Sequence, residues 1–361
     1  WIPATPFNNA TVYGGLFTAT ECYEYTGGQF VPNVGTADPA IPGTCTSGTF
    51  LWSGNLLNYV TMRRIDIAKF AMTGGNCFAA RDVAGKCTTS LLGQTTSARI
   101  DGVSIPTASL TDLMPGIPPG ATAYFYLKVN GMAGTFCVDN TAPDFPAGGP
   151  FQIAAPDNSC SNGPDGFAEQ QYTIRAQVTA PAGGVLQDVG TRARFGLLEF
   201  DGDAQAGTLL APIGSSIATV MTQIDNTGGA TWTPLAEALY EAGRYYAQLP
   251  SGFSPIGYTP TPNATGDPYW FDATWAGTAQ SVRCCKSFVI IFTDGAPTQD
   301  EAIPSALRDL AHTANAHGAS PHCGSAQGCT RDAKVAAGVG PQPLHAVGHP
   351  ALDHAALNDH H

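Results

Sequence analysis

Two stretches of the sequence bring oxygen ligands next to turn-forming residues. The apolar run Ser287-Phe-Val-Ile-Ile-Phe-Thr293 leads into Asp294-Gly295. A carboxylate at the carboxyl end of a buried strand stands over the crevice where α/β sheets bind ligands. Gly295 lets the chain turn sharply away from it. Upstream, Gly228-Gly-Ala-Thr-Trp-Thr-Pro-Leu-Ala-Glu-Ala-Leu239 places hydroxyls just before a helix. Hydroxyl plus carboxylate is an oxygen-only donor set, suited to a hard cation such as Mg²⁺. The plainer reading makes Thr233 a helix N-cap and Asp294 the cap of the next turn.

The ten cysteines are Cys22, Cys45, Cys77, Cys87, Cys137, Cys160, Cys284, Cys285, Cys323 and Cys329. Their number is even. Cys77/Cys87 and Cys137/Cys160 each bracket a loop, which reads as disulfides formed in an oxidising compartment. Structural zinc would want closely spaced cysteine knuckles, and none is present. Cys284 and Cys285 are adjacent, and a vicinal bridge is strained, so each is expected to pair elsewhere, with Cys323 or Cys329 among the choices. Arg283 and Lys286 flank the pair, but no histidine is placed to make a reactive thiol of it. His312, His317, His322, Cys323 and Cys329 do not share one helical face, which argues against zinc there. Asp157-Asn-Ser-Cys-Ser-Asn-Gly-Pro-Asp165 carries oxygen ligands but not the EF-hand spacing, and reads as a disulfide-pinned turn. No phosphate loop, nucleophile elbow or H-E-x-x-H occurs.

Composition narrows the classes further. Lys+Arg is 16 against Asp+Glu 28, a net charge of −12, which excludes a basic nucleic-acid surface. No uninterrupted apolar stretch is long enough to span a bilayer as a helix. Hydrophobic content of 43% is too high for general disorder. Trp-Ile-Pro-Ala-Thr at the start lacks the basic and apolar regions of a signal peptide, so the chain reads as processed, trimmed or incomplete.

The elements that must hold these residues follow from periodicity. Residues 1–53 read as an aromatic, Gly/Pro-rich segment with short strands. Gly54–Gly75 reads as one helix, capped by Asn55 or Asn58 and stopped by Gly74-Gly75. Arg63-Arg64 reads as a structural pair for Asp66 or nearby carbonyls. Residues 76–182 read as an antiparallel β insertion, with strands at Val103–Leu110, Ala123–Asn130, Gly134–Val138, Phe151–Ala154 and Gln170–Ala180. From 183 to 317 strand and helix alternate: Arg194–Phe200, Ser215–Ile224, Pro234–Gln248 with Thr233 as N-cap, the strand Ser287–Thr293, and Glu301–Asn315. Such alternation points to a parallel or mixed sheet covered by helices. Asp201-Gly-Asp203 reads as a turn. Residues 318–361 are rich in Ala, Gly and His without a core pattern, and read as a tail.

Four ordered motifs resemble one family. Thr233–Ala242, Ser287–Asp300, Ser53–Asp66 and Arg194–Phe200 look like the von Willebrand factor A-like region of PilY1/PilC-type type IV pilus tip adhesins and biogenesis factors. The aromatic segments Tyr13–Phe17 and Tyr23–Pro32 also look like the stretch before that family's helix. The likeness runs in register from about residue 12 to 315. It implies an α/β, Rossmann-like A domain lacking its first strand, with an inserted antiparallel β subdomain. It further implies a metal-ion-dependent adhesion site in which Thr233 supplies the hydroxyl, Thr231 the alternate, and Asp294 the carboxylate. The third piece of that site, Asp-x-Ser-x-Ser at the end of the first strand, is expected before Trp1, and the chain is read as lacking it. The chain is likewise read as lacking the family's C-terminal β-propeller, and the abrupt change after 318 is read as a frame error or early gene end.

The resulting expectation is a non-enzymatic extracellular protein at the pilus tip or outer cell surface. It would bind pilin or minor pilins, or a host or surface ligand with an acidic side chain, through Mg²⁺. No nucleic acid or transmembrane segment is expected. A disulfide-rich scaffold with a vestigial metal site is the alternative. A secreted hydrolase stacking sugars on Tyr124, Tyr126, Trp270 and Trp275 is a weaker one, because no carboxylate pair is placed by a motif.

Overall fold

The computed structural model describes residues 6–33, 44–45, 51–93, 102–106, 109–110, 113–115, 122–130, 133–139, 170–200, 207–228, 234–253, 258, 264, 266–271, 278–282 and 287–293. The chain divides into two compact units. One comprises Trp1–Leu197, Ser215–Thr231 and Phe292–Asp294; the other comprises Leu198–Gly214, Trp232–Ile291 and Gly295–His361.

The first unit opens with a hairpin of β1 (Cys22–Thr26) and β2 (Gln29–Pro32). Gly27 and Gly28 occupy its tip at φ 59° and 74°. Two consecutive left-handed residues make the turn whose twist suits a tight antiparallel hairpin, and glycine adopts it without strain. β1 also pairs with β3 (Trp52–Ser53). β2 pairs in parallel with β10 (Arg175–Gln177), which continues to β5 (Ser90–Leu92) and β4 (Asn76–Cys77). A second sheet is an antiparallel meander of β6 (Gly102–Pro106), β7 (Thr122–Asn130), β8 (Ala133–Asp139) and β9 (Gln170–Thr173). The segment read as one strand, Gln170–Ala180, is therefore split between two sheets at Ile174, which is itself 3% exposed.

One core joins these sheets. Phe30 from β2, Trp52 from β3, Phe136 from β8 and Tyr172 from β9 pack together, with Trp52–Tyr172 ring centroids 4.9 Å apart and Phe136–Tyr172 5.3 Å apart. Edge-to-face and offset contacts at such distances add to the apolar area that the rings bury.

The helix expected over 54–75 is two helices, α1 (Gly54–Thr61) and α2 (Arg64–Thr73). Met62 and Arg63 between them are extended, with ψ 134° and 161°. Two local bonds explain the break. Asp66 Oδ2 accepts the Arg63 N–H at 3.0 Å, which starts a new helix. The Thr61 hydroxyl donates back to Leu57 O, which closes the old one. Gly74 and Gly75, at φ 79° and 91°, do stop α2. The N-cap of α1 is Ser53, whose Oγ accepts the Leu56 N–H at 3.3 Å. Asn55 and Asn58 serve a different purpose, described below. The remaining helices of this unit are α3 (Val185–Val189) and α4 (Ile217–Asn226).

The second unit contains β11 (Leu197–Phe200) from Leu198 onward, paired with β12 (Gly207–Ala211), then α5 (Leu235–Tyr246), and the pair β13 (Trp270–Phe271) with β14 (Gln280–Ser281). Pro234 is the N-cap of α5, one position earlier than the first-turn place expected for it, and Thr233 lies outside the described residues. Residues 287–293 differ most from expectation. They form no strand, and Phe288, Ile290 and Phe292 are 78%, 76% and 55% exposed. An apolar run demands burial but does not supply its neighbours. Among the described residues no strand flanks this one. The helix expected at Glu301–Asn315 and the strand at Phe151–Ala154 lie outside the described residues.

Candidate functional site

Thr231, Thr233 and Asp294 all lie outside the described residues, so their mutual placement is not part of the structure. The structure does describe the elements that precede and follow the hydroxyl segment in sequence, α4 in the first unit and α5 in the second, each taken by itself.

Upstream stands α4. Ser216 caps its start, with Oγ accepting the Thr219 N–H at 3.1 Å. Val220, Met221 and Ile224 form its buried stripe. Its C-terminal end is gripped by two cations. Lys69, on α2 and only 2% exposed, donates from Nζ to Asp225 O at 2.9 Å and to Thr227 O at 2.7 Å. Arg81 donates from Nη2 to both Asp225 carboxylate oxygens, at 3.0 and 3.2 Å. The same guanidinium donates to Thr73 O at 2.8 Å and Gly75 O at 2.6 Å. Gln187 on α3 adds bonds to Thr73 O and Gly85 O, at 2.8 and 2.9 Å. A helix C-terminus carries unpaired carbonyls and a partial negative charge, which is where cations belong. Burial pushes the Asp225 carboxyl up, against the opposing pull of Arg81 and then Lys69.

Downstream stands α5. Glu241, which is 0% exposed, accepts from the Gly252 and Phe253 N–H groups at 2.7 and 3.1 Å and from the Tyr258 hydroxyl at 3.4 Å. Burial pushes its carboxyl above the ordinary 4.5 despite those bonds. Tyr245 donates its hydroxyl to Gly266 O at 2.7 Å and accepts the Ile213 N–H at 2.9 Å. Arg244 donates to Pro250 O at 2.6 Å and to the Tyr240 hydroxyl at 3.1 Å. This helix fixes the loops around it.

The N-terminal aromatic segment is held by α1. Asn58 accepts the Phe17 N–H at 3.1 Å and donates to Tyr13 O and Phe17 O, both at 2.8 Å. Asn55 accepts the Tyr13 N–H and donates to Thr11 O, both at 2.8 Å. The backbone approaches so closely that a Cβ at Gly15 would collide with the side chains of Asn58 and Met62. The residue pair expected to cap α1 instead staples a loop to its side.

The cysteine reading is met in part. Cys22 bonds Cys45 and Cys77 bonds Cys87. Cys137 is also disulfide-bonded, to a partner outside the described residues. Cys160, Cys284, Cys285, Cys323 and Cys329 lie outside them too, as do Asp201, Asp203, Trp275 and every histidine. Among the described residues no group of three His, Cys, Asp or Glu is placed to hold a metal ion, and no helix is long and apolar enough to cross a membrane.

Sequence reasoning missed Lys69, Arg81 and Asp225, because a single cation on a helix and another in a loop form no local pattern. It also missed a spacing. Asp-x-Ser-x-Ser, read as lacking, occurs once within the chain, at Asp157, Ser159 and Ser161 between β8 and β9. That segment lies outside the described residues.

Residues 4–136 match the family model described as PilY1 homolog, small alpha/beta domain. The match takes in β1 to β7, both α1 and α2, and ends inside β8. No curated protein and no solved structure matches the chain.

Proposed function

We propose that this chain belongs to an extracellular type IV pilus protein, adhering or assembling at the pilus tip through a cation-dependent A-like domain. The match of residues 4–136 to the PilY1 homolog domain carries the reading. The bonded cysteines support it, since such bridges persist in oxidising, extracytoplasmic surroundings.

In this reading Mg²⁺ would be held by Thr233 and Asp294, with Thr231 as the alternate hydroxyl. Those donors are oxygen only, as a hard cation requires. The ion would leave one position to a partner's carboxylate, on a pilin, a minor pilin or a host surface. The remaining ligands come either from an Asp-x-Ser-x-Ser upstream of the aromatic segment or from Asp157, Ser159 and Ser161, which precede Thr233 and Asp294 in chain order.

The test is partner binding with Mg²⁺ and with EDTA. Binding that needs Mg²⁺ and is lost in Thr233→Ala and Asp294→Ala supports the site. Asp157→Ala then decides the third ligand: lost binding puts 157–161 in the shell, and retained binding leaves it a disulfide-pinned turn. Binding that ignores EDTA favours the scaffold reading. The disulfides and the packed aromatic core of the first unit are the observations behind that second reading.

A further inference from the structure

We propose that residues 287–293 are a self-complementary segment that pairs with the same segment of a second copy of this chain, antiparallel and two-fold symmetric about Ile290. This pairing is independent of the cation-site reading and needs no bound ion.

The segment Ser287-Phe-Val-Ile-Ile-Phe-Thr293 is nearly palindromic by residue class. Laid antiparallel on itself with Ile290 opposite Ile290, it sets Phe288 against Phe292, Val289 against Ile291 and Ser287 against Thr293. Aromatic, β-branched and hydroxyl pairs are the cross-strand contacts that stabilise antiparallel strands. One step further out, Lys286 and Asp294 continue the pattern with opposite charges; both lie outside the described residues. A two-fold interface demands that one patch complement itself, residue i meeting j as j meets i. The symmetry of this run meets that demand, which singles out a second copy as its partner.

The structure supplies the exposed face. Side chains alternate across an extended strand. The three most exposed apolar residues of the run, Phe288, Ile290 and Phe292, occupy alternate positions; Val289 and Ile291 between them are less exposed. The run holds no glycine, proline or charge and is rich in β-branched and aromatic residues, the composition by which strands of separate chains pair. Its large side chains offer on the order of 500 Å² per copy, so about 1,000 Å² between two copies. That area is at the low end for a specific interface and fits a transient dimer.

The experiment is sedimentation velocity on the full chain in EDTA, from about 1 to 100 µM, where an interface of this size should associate. Wild type should pass from monomer to dimer as concentration rises. Ile290→Lys and Ile290→Glu each place like charges on the symmetry axis, so each should lose the dimer. An equimolar mixture of the two should regain it, because position 290 faces itself. The corresponding mixture of Phe288→Lys and Phe288→Glu should gain nothing over either variant alone, because position 288 faces 292. All four substitutions replace exposed side chains, so melting temperatures should match wild type. A wild type that stays monomeric throughout overturns the proposal and leaves the run to a strand of another protein. So do open-ended oligomers without a dimer, or an Ile290→Lys variant that still dimerises. Rescue by mixing at 288 also overturns it, since that is the mark of a parallel pair.

Discussion

Replacing Asn58 tests how the aromatic segment is held to α1. Its side chain makes three hydrogen bonds, to Phe17 N, Phe17 O and Tyr13 O, and the residue is 2% exposed. Asn58→Ala removes all three and leaves buried backbone groups without their partners. At about 1 kcal/mol net per bond, and more where a group is orphaned, the loss should be about 3–4 kcal/mol. Asn58→Asp is the sharper probe, because it keeps the shape and the acceptor but loses the amide donor. At neutral pH the introduced carboxylate would face two carbonyl oxygens, so the variant should be at least as unstable as Asn58→Ala. Protonation restores one donor, so the folded-state pKa of the introduced group must lie above its unfolded value of about 3.9. Its stabilising contribution is then fully present below that value and is lost as pH rises through the folded pKa. The two variants should therefore diverge at pH 4, with Asn58→Asp the more stable, and converge or cross by pH 7. The assay is urea unfolding followed by amide exchange in the peptide covering 54–61, which reports on this unit alone. The reasoning fails if Asn58→Asp lies within about 0.5 kcal/mol of wild type at pH 7 and shows no pH dependence.

Three further outcomes follow from the structure. Ile290→Lys should leave the melting temperature unchanged and reduce light scattering, because Ile290 is 76% exposed; a loss of several degrees would instead restore the buried-strand reading of 287–293. Glu241→Gln should melt at or above wild type at pH 7–8 and lose that advantage toward pH 4. The sign follows from the raised Glu241 pKa: its contribution is complete below the unfolded value and is lost as pH rises through the folded one. Differential scanning fluorimetry across that range checks it, and an advantage that grows toward pH 4 would refute it. Tyr23, Tyr59 and Tyr172, each pushed up to about 12 chiefly by burial, should resist ionisation in a spectrophotometric titration. Because those pKa values are raised, stability should hold below pH 10 and fall as pH climbs toward 12; three ordinary phenol titrations near 10 would show the rings to be solvated.

The sequence by itself determined features whose cause is local. The Gly27-Gly28 hairpin tip, the Gly74-Gly75 stop, the alternation in β7 and the Cys77–Cys87 loop closure depend on residues a few positions apart. The likeness to the PilY1 homolog domain was legible in Tyr13–Phe17, Tyr23–Pro32 and Ser53–Asp66, contiguous motifs that lie inside the matched residues 4–136. Tertiary structure alone decided the rest. Asn55 and Asn58 have the type and position of helix caps, yet a loop folded back over α1 gives their amides better-placed partners. The strand read over 170–180 divides because its two halves face different sheets. Lys69 and Arg81 acquire a role only when α4, more than a hundred positions away in sequence, is brought against α2. The run 287–293 shows the limit from the other side. Its composition states that it should be buried, but burial is a property of the neighbours, and a strand cannot provide those for itself.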